Sequence, residues 1–302
     1  MNEPIHKDGV IITVLAYIIW GFLPLYWKLV DDVSPSIILA ERIIWSFAGM
    51  MILLIVTRRW STFKQEFKHI FSHKQSFLHI TLASFAISLN WLTYIWAVNN
   101  EFVVQASLGY YINPLINIVV GIIILKEVVS RIQIFSFIIA AVGVLYLTIS
   151  FGEFPWVSFV LAISFAIYGL LKRSVKASAA VGLTIETMIV TPIALIFLIA
   201  MPNSESLIHG NFTSVTALLV GTGIATALPL LLFAYGTKRI PFIMLGFLQY
   251  IAPTIMLFIG IYIFKETFST AHFIAFCFIW VALVIYMWSS FYERRRLKRN
   301  IV

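Results

Sequence analysis

One seventeen-residue segment is written twice. "YINPLINIVVGIIILKE" runs from Tyr111 to Glu127, and "YIAPTIMLFIGIYIFKE" from Tyr250 to Glu266, 139 residues later. Aligned without a gap, nine of the seventeen positions are identical, among them Pro114/Pro253, Gly121/Gly260, Lys126/Lys265 and Glu127/Glu266. Both copies are apolar with a proline inside and a Lys-Glu pair at the end. A chain carrying such a pair folds as two related units.

The setting of those units follows from charge. Of 302 residues, 61% are hydrophobic and 11% charged, against about a quarter charged in an ordinary soluble domain. There is too little polar surface to wrap a globule in water, and the expected fold class is an all-α polytopic membrane protein. A bilayer core of roughly 30 Å takes about 20 apolar residues per helix. On that ruler ten spans are predicted, at 10–30, 36–56, 77–97, 103–125, 131–150, 156–172, 180–200, 213–236, 242–264 and 271–291. The longest polar loop, 57–76, resembles no folded module. The amino terminus lacks the basic start and cleavage site of a secretory signal, so the first apolar segment is expected to be retained.

The repeated segments are spans four and nine. Fainter matches join Trp20-Gly21 to Tyr168-Gly169 and Glu41 to Glu186, and Trp96-Ala97 falls opposite Tyr235-Gly236 at the same 139-residue offset. The unit is therefore five helices. An odd number repeated in tandem crosses the membrane in opposite senses, which predicts two inverted five-helix repeats, residues 1–150 and residues 151–302, the second with a basic tail. Inverted repeats are a recurrent construction of secondary transporters.

Lysine and arginine placement gives the orientation. With both termini in the cytoplasm, eighteen basic residues face inward, only Lys28 and Lys265 face outward, and Arg42 lies within a span. The outer loops carry Asp31, Asp32, Glu101, Glu153 and Glu205. The densest basic cluster, 293–300, directly follows a span and reads as a topology anchor near anionic lipid. The net charge of +8 thus gives no reason to expect a nucleic-acid partner. Cys277 is the only cysteine and the six histidines show no ligand spacing, so neither a metal site nor a cofactor is expected. "GTG" at 221–223 lacks the Lys-Ser/Thr ending of a phosphate loop.

Pro114 and Pro253 each deprive a helix of one N–H, freeing the carbonyls of Tyr110 and Gln249. With Gly109 and Gly246 upstream, the functional reading is a hinge in each half, and the plain one a bend. Gln105, Gly109, Asn113, Asn117 and Gly121 recur at four-residue spacing, a polar stripe that faces either a watery pocket or a neighbouring helix. Glu41, Arg42 and Glu186 are ionisable within spans, where a charge costs several kcal/mol unless paired or hydrated. Arg42 suits an anionic substrate group through its planar fork, and Glu41 and Glu186 are the proton-coupling candidates. A structural ion pair is the competing account of the two neighbours. Asn90, with Trp91 and Tyr94, suits a flat pocket. Trp20, Arg42, Asn90, Asn113, Tyr168, Glu186 and Gln249 are the predicted substrate-binding residues. No clustered acid–base constellation argues for an enzyme.

The strings "AYIIWGFLPLYWK" (16–28), "ILAERIIWS" (38–46), "NWLTYIWAVNN" (90–100), "ASLGYYINPLINIVVG" (106–121), "SFAIYGLLKR" (164–173), "GLTIETM" (182–188), "LGFLQYIAPT" (245–254) and "FIWVALVIY" (278–286) resemble the RarD-type permeases. That group lies within the EamA transporter family of the drug/metabolite transporter superfamily. The resemblance covers essentially the whole chain. It implies a permease in a bacterial inner membrane, with a central cavity lined mainly by spans one, three, four, six, eight and nine. It also implies export of a small metabolite or drug-like molecule. Family members carry His where this chain has Glu41, which weakens proton coupling by analogy at that position. The expected partners are a small-molecule substrate and the lipid bilayer, with a homodimer left open. The alternative function is a non-transporting sensor or assembly protein on the same scaffold.

Overall fold

The structure, a computed structural model, describes residues 6–100, 102–150, 152, 154–201, 213–265 and 269–299. Glu101, Glu153, Glu205 and Glu266 lie outside the described residues, as do the side chains of the 293–300 cluster. Among the described residues the secondary structure is entirely helical.

The helices are α1 (Lys7–Trp27), α2 (Pro35–Val56), α3 (Trp60–Ser72), α4 (Lys74–Asn99), α5 (Val103–Ile123), α6 (Arg131–Ser150), α7 (Trp156–Ser174), α8 (Ala179–Ile199), α9 (Ser214–Gly236), α10 (Phe242–Gln249), α11 (Ile251–Tyr262) and α12 (Thr270–Arg299). Nine stretches among the described residues are long and apolar enough to cross a membrane, one of them Phe242–Tyr262, made of α10 and α11 together. α5 adds a shorter apolar run, Leu108–Ile123. Large apolar side chains such as Ile149, Val284 and Trp288 lie on the outside. In water such a surface would aggregate, whereas against lipid it is at home.

The segment 57–76, a polar loop that resembles no folded module in sequence, contains α3. Trp60, Phe63, Phe67 and Phe71 stack in series along one of its faces, and Phe63 and Ile70 are buried. Thirteen residues are too few to span a bilayer, so a mean-hydropathy ruler passes over this helix. Its apolar stripe suits the membrane–water boundary instead.

Side-chain bonds sort the helix ends into two groups. At one end the start of α1 meets the end of α9, with Tyr235 donating to Asp8 at 2.8 Å. There too Glu127, just beyond α5, accepts from the backbone N–H groups of Phe242 and Ile243 at 2.6 and 2.9 Å, capping the first turn of α10. Arg173 at the end of α7 donates to the carbonyls of Thr237 and Ile240. At the opposite end Trp96, Phe102 and Trp156 cluster where α4 stops and α5 and α7 begin. Since the end of α5 sits at the start of α10, the two proline-bearing segments run in opposite directions.

α1 packs on α9 and α11, and α7 packs on α4 and α5. α2 packs on α8, α5 on α10 and α6 on α12.

The repeated Lys-Glu ending has a backbone cause. Lys126 and Lys265 both adopt left-handed conformations, with φ of 52° and 57°. Before them, Ile124 and Leu125 N–H both reach the Val120 carbonyl, as Ile263 and Phe264 reach that of Ile259. A left-handed residue ending a helix releases the chain sharply while satisfying its last carbonyls. Glu127 then stands where its carboxylate meets the positive end of α10.

Candidate transport cavity

A cavity of about 310 Å³ lies among α1, α2, α4, α5, α7, α9, α10 and α11. Its lining comes from the half of the bundle away from Glu127, including Trp20 and Trp27 late in α1, and Gly109 and Asn113 in the first half of α5. Trp20, Arg42, Asn90, Asn113 and Gln249, five of the seven predicted binding residues, line it together. They come from both halves of the sequence.

Arg42 is the only charged residue among the described lining residues. Its Nε donates to Thr226 Oγ1 at 3.0 Å, and its guanidinium carbon lies 5.1 Å and 4.8 Å from the ring centres of Trp27 and Trp91. Both distances are within cation–π reach. The adjacent Glu41 does not pair with it. Glu41 is buried, its Oε2 accepts from Trp45 Nε1 at 2.7 Å, and its Oε1 has no partner. One helical residue apart, the two side chains leave α2 about 100° apart, and each meets a different neighbour. The ion-pair account of these neighbours therefore fails among the described residues.

Asn113 starts a polar chain from α5 to the last residue of α10. Asn117 Nδ2 lies 3.3 Å from Asn113 Oδ1 and donates to Gln249 Oε1 at 2.5 Å. The stripe of polar and small residues on α5 is thus divided: Gly109 and Asn113 face the cavity, while Asn117 is buried behind it. Asn90 ties α4 to α7, donating to the Leu161 carbonyl at 2.7 Å and Ser164 Oγ at 3.0 Å. That leaves its carbonyl oxygen as the group available to a ligand.

Tyr168 and Glu186 lie elsewhere. Glu186 is buried and accepts from Lys172 Nζ at 2.7 Å and from the Tyr168 hydroxyl at 3.2 Å. This buried pair lies near the Glu127 end, outside the described cavity lining. Lys172, counted among the inward-facing basic residues at the end of the span 156–172, is itself buried in α7. Sequence reasoning passed over it because it sits at the end of a span, where a lysine ordinarily reaches water.

The hinge candidates differ between halves. α5 stays helical through Pro114, whereas the equivalent span divides at Tyr250, three residues before Pro253, into α10 and α11. Gly109 and Pro253 line the cavity. Gly246 packs tightly on α5: a Cβ there would lie 2.7 Å from the Pro114 carbonyl oxygen. Each proposed hinge therefore rests on the other. Trp27, Tyr110 and Thr226 also line the cavity without having been predicted. Trp27 lies near a helix end and was indistinguishable from an interfacial tryptophan.

A model of the EamA-like transporter family matches residues 7–149. The chain is 44% identical over 301 residues to "Uncharacterized transporter YojE" of Bacillus subtilis (strain 168), covering 99% of this chain and 100% of that one. The chain belongs to the EamA-like transporter family. To "Protein RarD" of Escherichia coli (strain K12) it is 40% identical over 300 residues, with 99% and 100% of the two chains covered. A solved crystal structure superposes with a TM-score of 0.73 at 16% identity, covering 93% of this chain and 97% of that chain, a likeness of fold alone. As an EamA-family chain with multiple apolar helices and bacterial relatives, the protein is a multi-pass bacterial membrane transporter.

Proposed function

We propose that this EamA-family chain is a secondary transporter, without enzymatic activity, that exports a small metabolite or drug-like molecule from the bacterial cytoplasm by alternating access. In this reading residues 1–150 and 151–302 are two inverted five-helix repeats making ten crossings of the inner membrane, with both termini cytoplasmic. The observation that carries it is the composition of the cavity, to which both halves contribute and which sits toward one end of the bundle. Polar contacts through Glu127, Arg173 and Asp8 tie the other end together. Exchanging the conformations of two inverted halves would move the opening to the other side. With the amino terminus inside, the arrangement described corresponds to an outward-facing state. Pro114 with Gly109 and Pro253 with Gly246 supply the bending points.

The test uses the single cysteine. On a Cys277→Ser background, a cysteine replacing Met256, which lines the cavity, is labelled in right-side-out vesicles with a membrane-impermeant maleimide. Labelling from outside that declines when a transported compound is supplied is the expected result. Equal labelling from both faces, or none from either, would remove the alternating-access reading.

A further inference from the structure

We propose that the cavity binds an organic monoanion through a carboxylate group gripped by Arg42, with the aromatic walls holding an apolar body. The word substrate for that ligand rests on the transporter reading; the binding site does not.

The guanidinium has two attachments, Nε to Thr226 and its faces to Trp27 and Trp91. Neither terminal nitrogen has a partner among the described residues, and the described lining holds no Asp or Glu. An unpaired cation in a membrane interior is costly. Two indole rings and one hydroxyl offset part of that cost but neutralise none of the charge. The usual remedy, a neighbouring carboxylate, stands next in the chain at Glu41 and is turned to Trp45 instead. The site therefore holds one net positive charge, with its two-nitrogen edge unoccupied and its orientation fixed on both sides.

A guanidinium edge matches a carboxylate bidentately. One cation balances a monoanion, whereas a phosphate dianion would carry an uncompensated charge into the bilayer. The walls decide the remainder: Trp20, Trp27, Trp91, Tyr94, Tyr110 and Phe165 suit a flat or apolar body. A cavity of about 310 Å³ is at the small end of ligand pockets.

The test measures binding to the full chain in nanodiscs, using quenching of tryptophan fluorescence by 3-phenylpropanoate, by its neutral amide and by inorganic phosphate. The expected result is carboxylate binding at least tenfold tighter than amide, with phosphate weaker still. Arg42→Gln should abolish the preference, Arg42→Lys should retain part of it, and Thr226→Val, which keeps the charge but loosens its orientation, should reduce it several-fold. Equal binding of acid and amide, a preference that survives Arg42→Gln, phosphate competing as well as the carboxylate, or no carboxylate binding at millimolar concentration would each overturn the proposal. If Arg42→Gln does not fold, the acid-to-amide ratio in the wild type and in Thr226→Val decides alone. Carboxylate preference without flux in liposomes would remove the transporter reading and leave this site standing. Flux of neutral compounds indifferent to Arg42→Gln would do the reverse.

Discussion

The hydroxyl of Tyr250 lies 3.3 Å from the backbone carbonyl of Tyr111 and donates to it. These two residues open the repeated segments and are separated by 139 positions, the offset of the repeat itself. The two copies of the duplicated segment therefore touch at matching residues. The polar chain from Asn113 through Asn117 to Gln249 crosses the same junction. Cavity and junction share Asn113 and Gln249, so a movement of one copy against the other necessarily reshapes the pocket.

The cap supplied by Glu127 should control the end that the cavity does not occupy. Glu127→Gln removes a charge from the positive end of α10 and from Arg173, whose Nη2 lies 3.8 Å away. We expect a loss of about 1–3 kcal/mol. A cysteine at Met244 on the Cys277→Ser background should also label several-fold faster from the Glu127 side. Unchanged labelling would show that this cap does not hold the end shut.

The buried pair of Lys172 and Glu186 makes a different prediction. Removing one member strands the other charge, at a cost of about 3–5 kcal/mol, whereas replacing both with apolar residues costs much less. Lys172→Met should therefore lower the melting temperature in detergent more than Lys172→Met combined with Glu186→Leu. If the double variant is the sum of the two singles, the pair is not coupled. A further variant, Glu186→Gln, examines proton coupling, since flux that keeps its dependence on the proton gradient in it excludes Glu186 as the carrier.

Helix contact at Gly223 should tolerate no side chain. A Cβ there would lie 2.4 Å from the Trp45 carbonyl carbon, whereas nothing lies within 4 Å of one placed on Gly49. Gly223→Ala must push α9 away from α2 and should cost about 1–3 kcal/mol. Gly49→Ala should be neutral or slightly stabilising, since alanine is the better helix former by roughly 1 kcal/mol. Equal melting temperatures for the two variants would contradict the packing described.

Stability should also depend on pH through Lys238, in the connection between α9 and α10. Burial, then the neighbouring Lys172, pushes its ammonium group down to about 8, below the usual lysine value of about 10.4. Between those values the unfolded chain binds more protons than the folded one, so stability rises as pH increases from about 8 to about 10. The gain should be on the order of 1–3 kcal/mol and should be absent in Lys238→Met, measured as the difference in melting temperature between the two ends of that range. A wild-type curve that falls over the range would reverse the sign of the assignment.

Much of this was legible in the sequence. Apolar composition requires a membrane setting, because no arrangement of so few charges could cover a globule in water. The spans at residues 10–30, 36–56 and 131–150 agree closely with α1, α2 and α6, because each is a predominantly apolar run of about membrane length between polar flanks. The offset of 139 already paired Tyr111 with Tyr250 and Lys126 with Lys265, since duplicated backbone geometry requires duplicated residues. Five pocket residues could be named because a polar group inside a span has few places to go. What folding alone decided was partnership. Glu41 and Arg42 are chain neighbours that end in different environments: Glu41 turns to Trp45 one turn along α2, while Arg42 meets Thr226 of α9, Trp27 of α1 and Trp91 of α4, partners that only packing supplies. Glu186 looked like a pocket group until Lys172 met it across α7 and α8. α3 was invisible because aromatic stacking along a short amphipathic helix adds nothing to an average over twenty residues. Periodicity and composition are local quantities and can be read along the chain. Charge pairing and pocket lining are set by distances between segments far apart in sequence, and those distances exist only once the helices have packed.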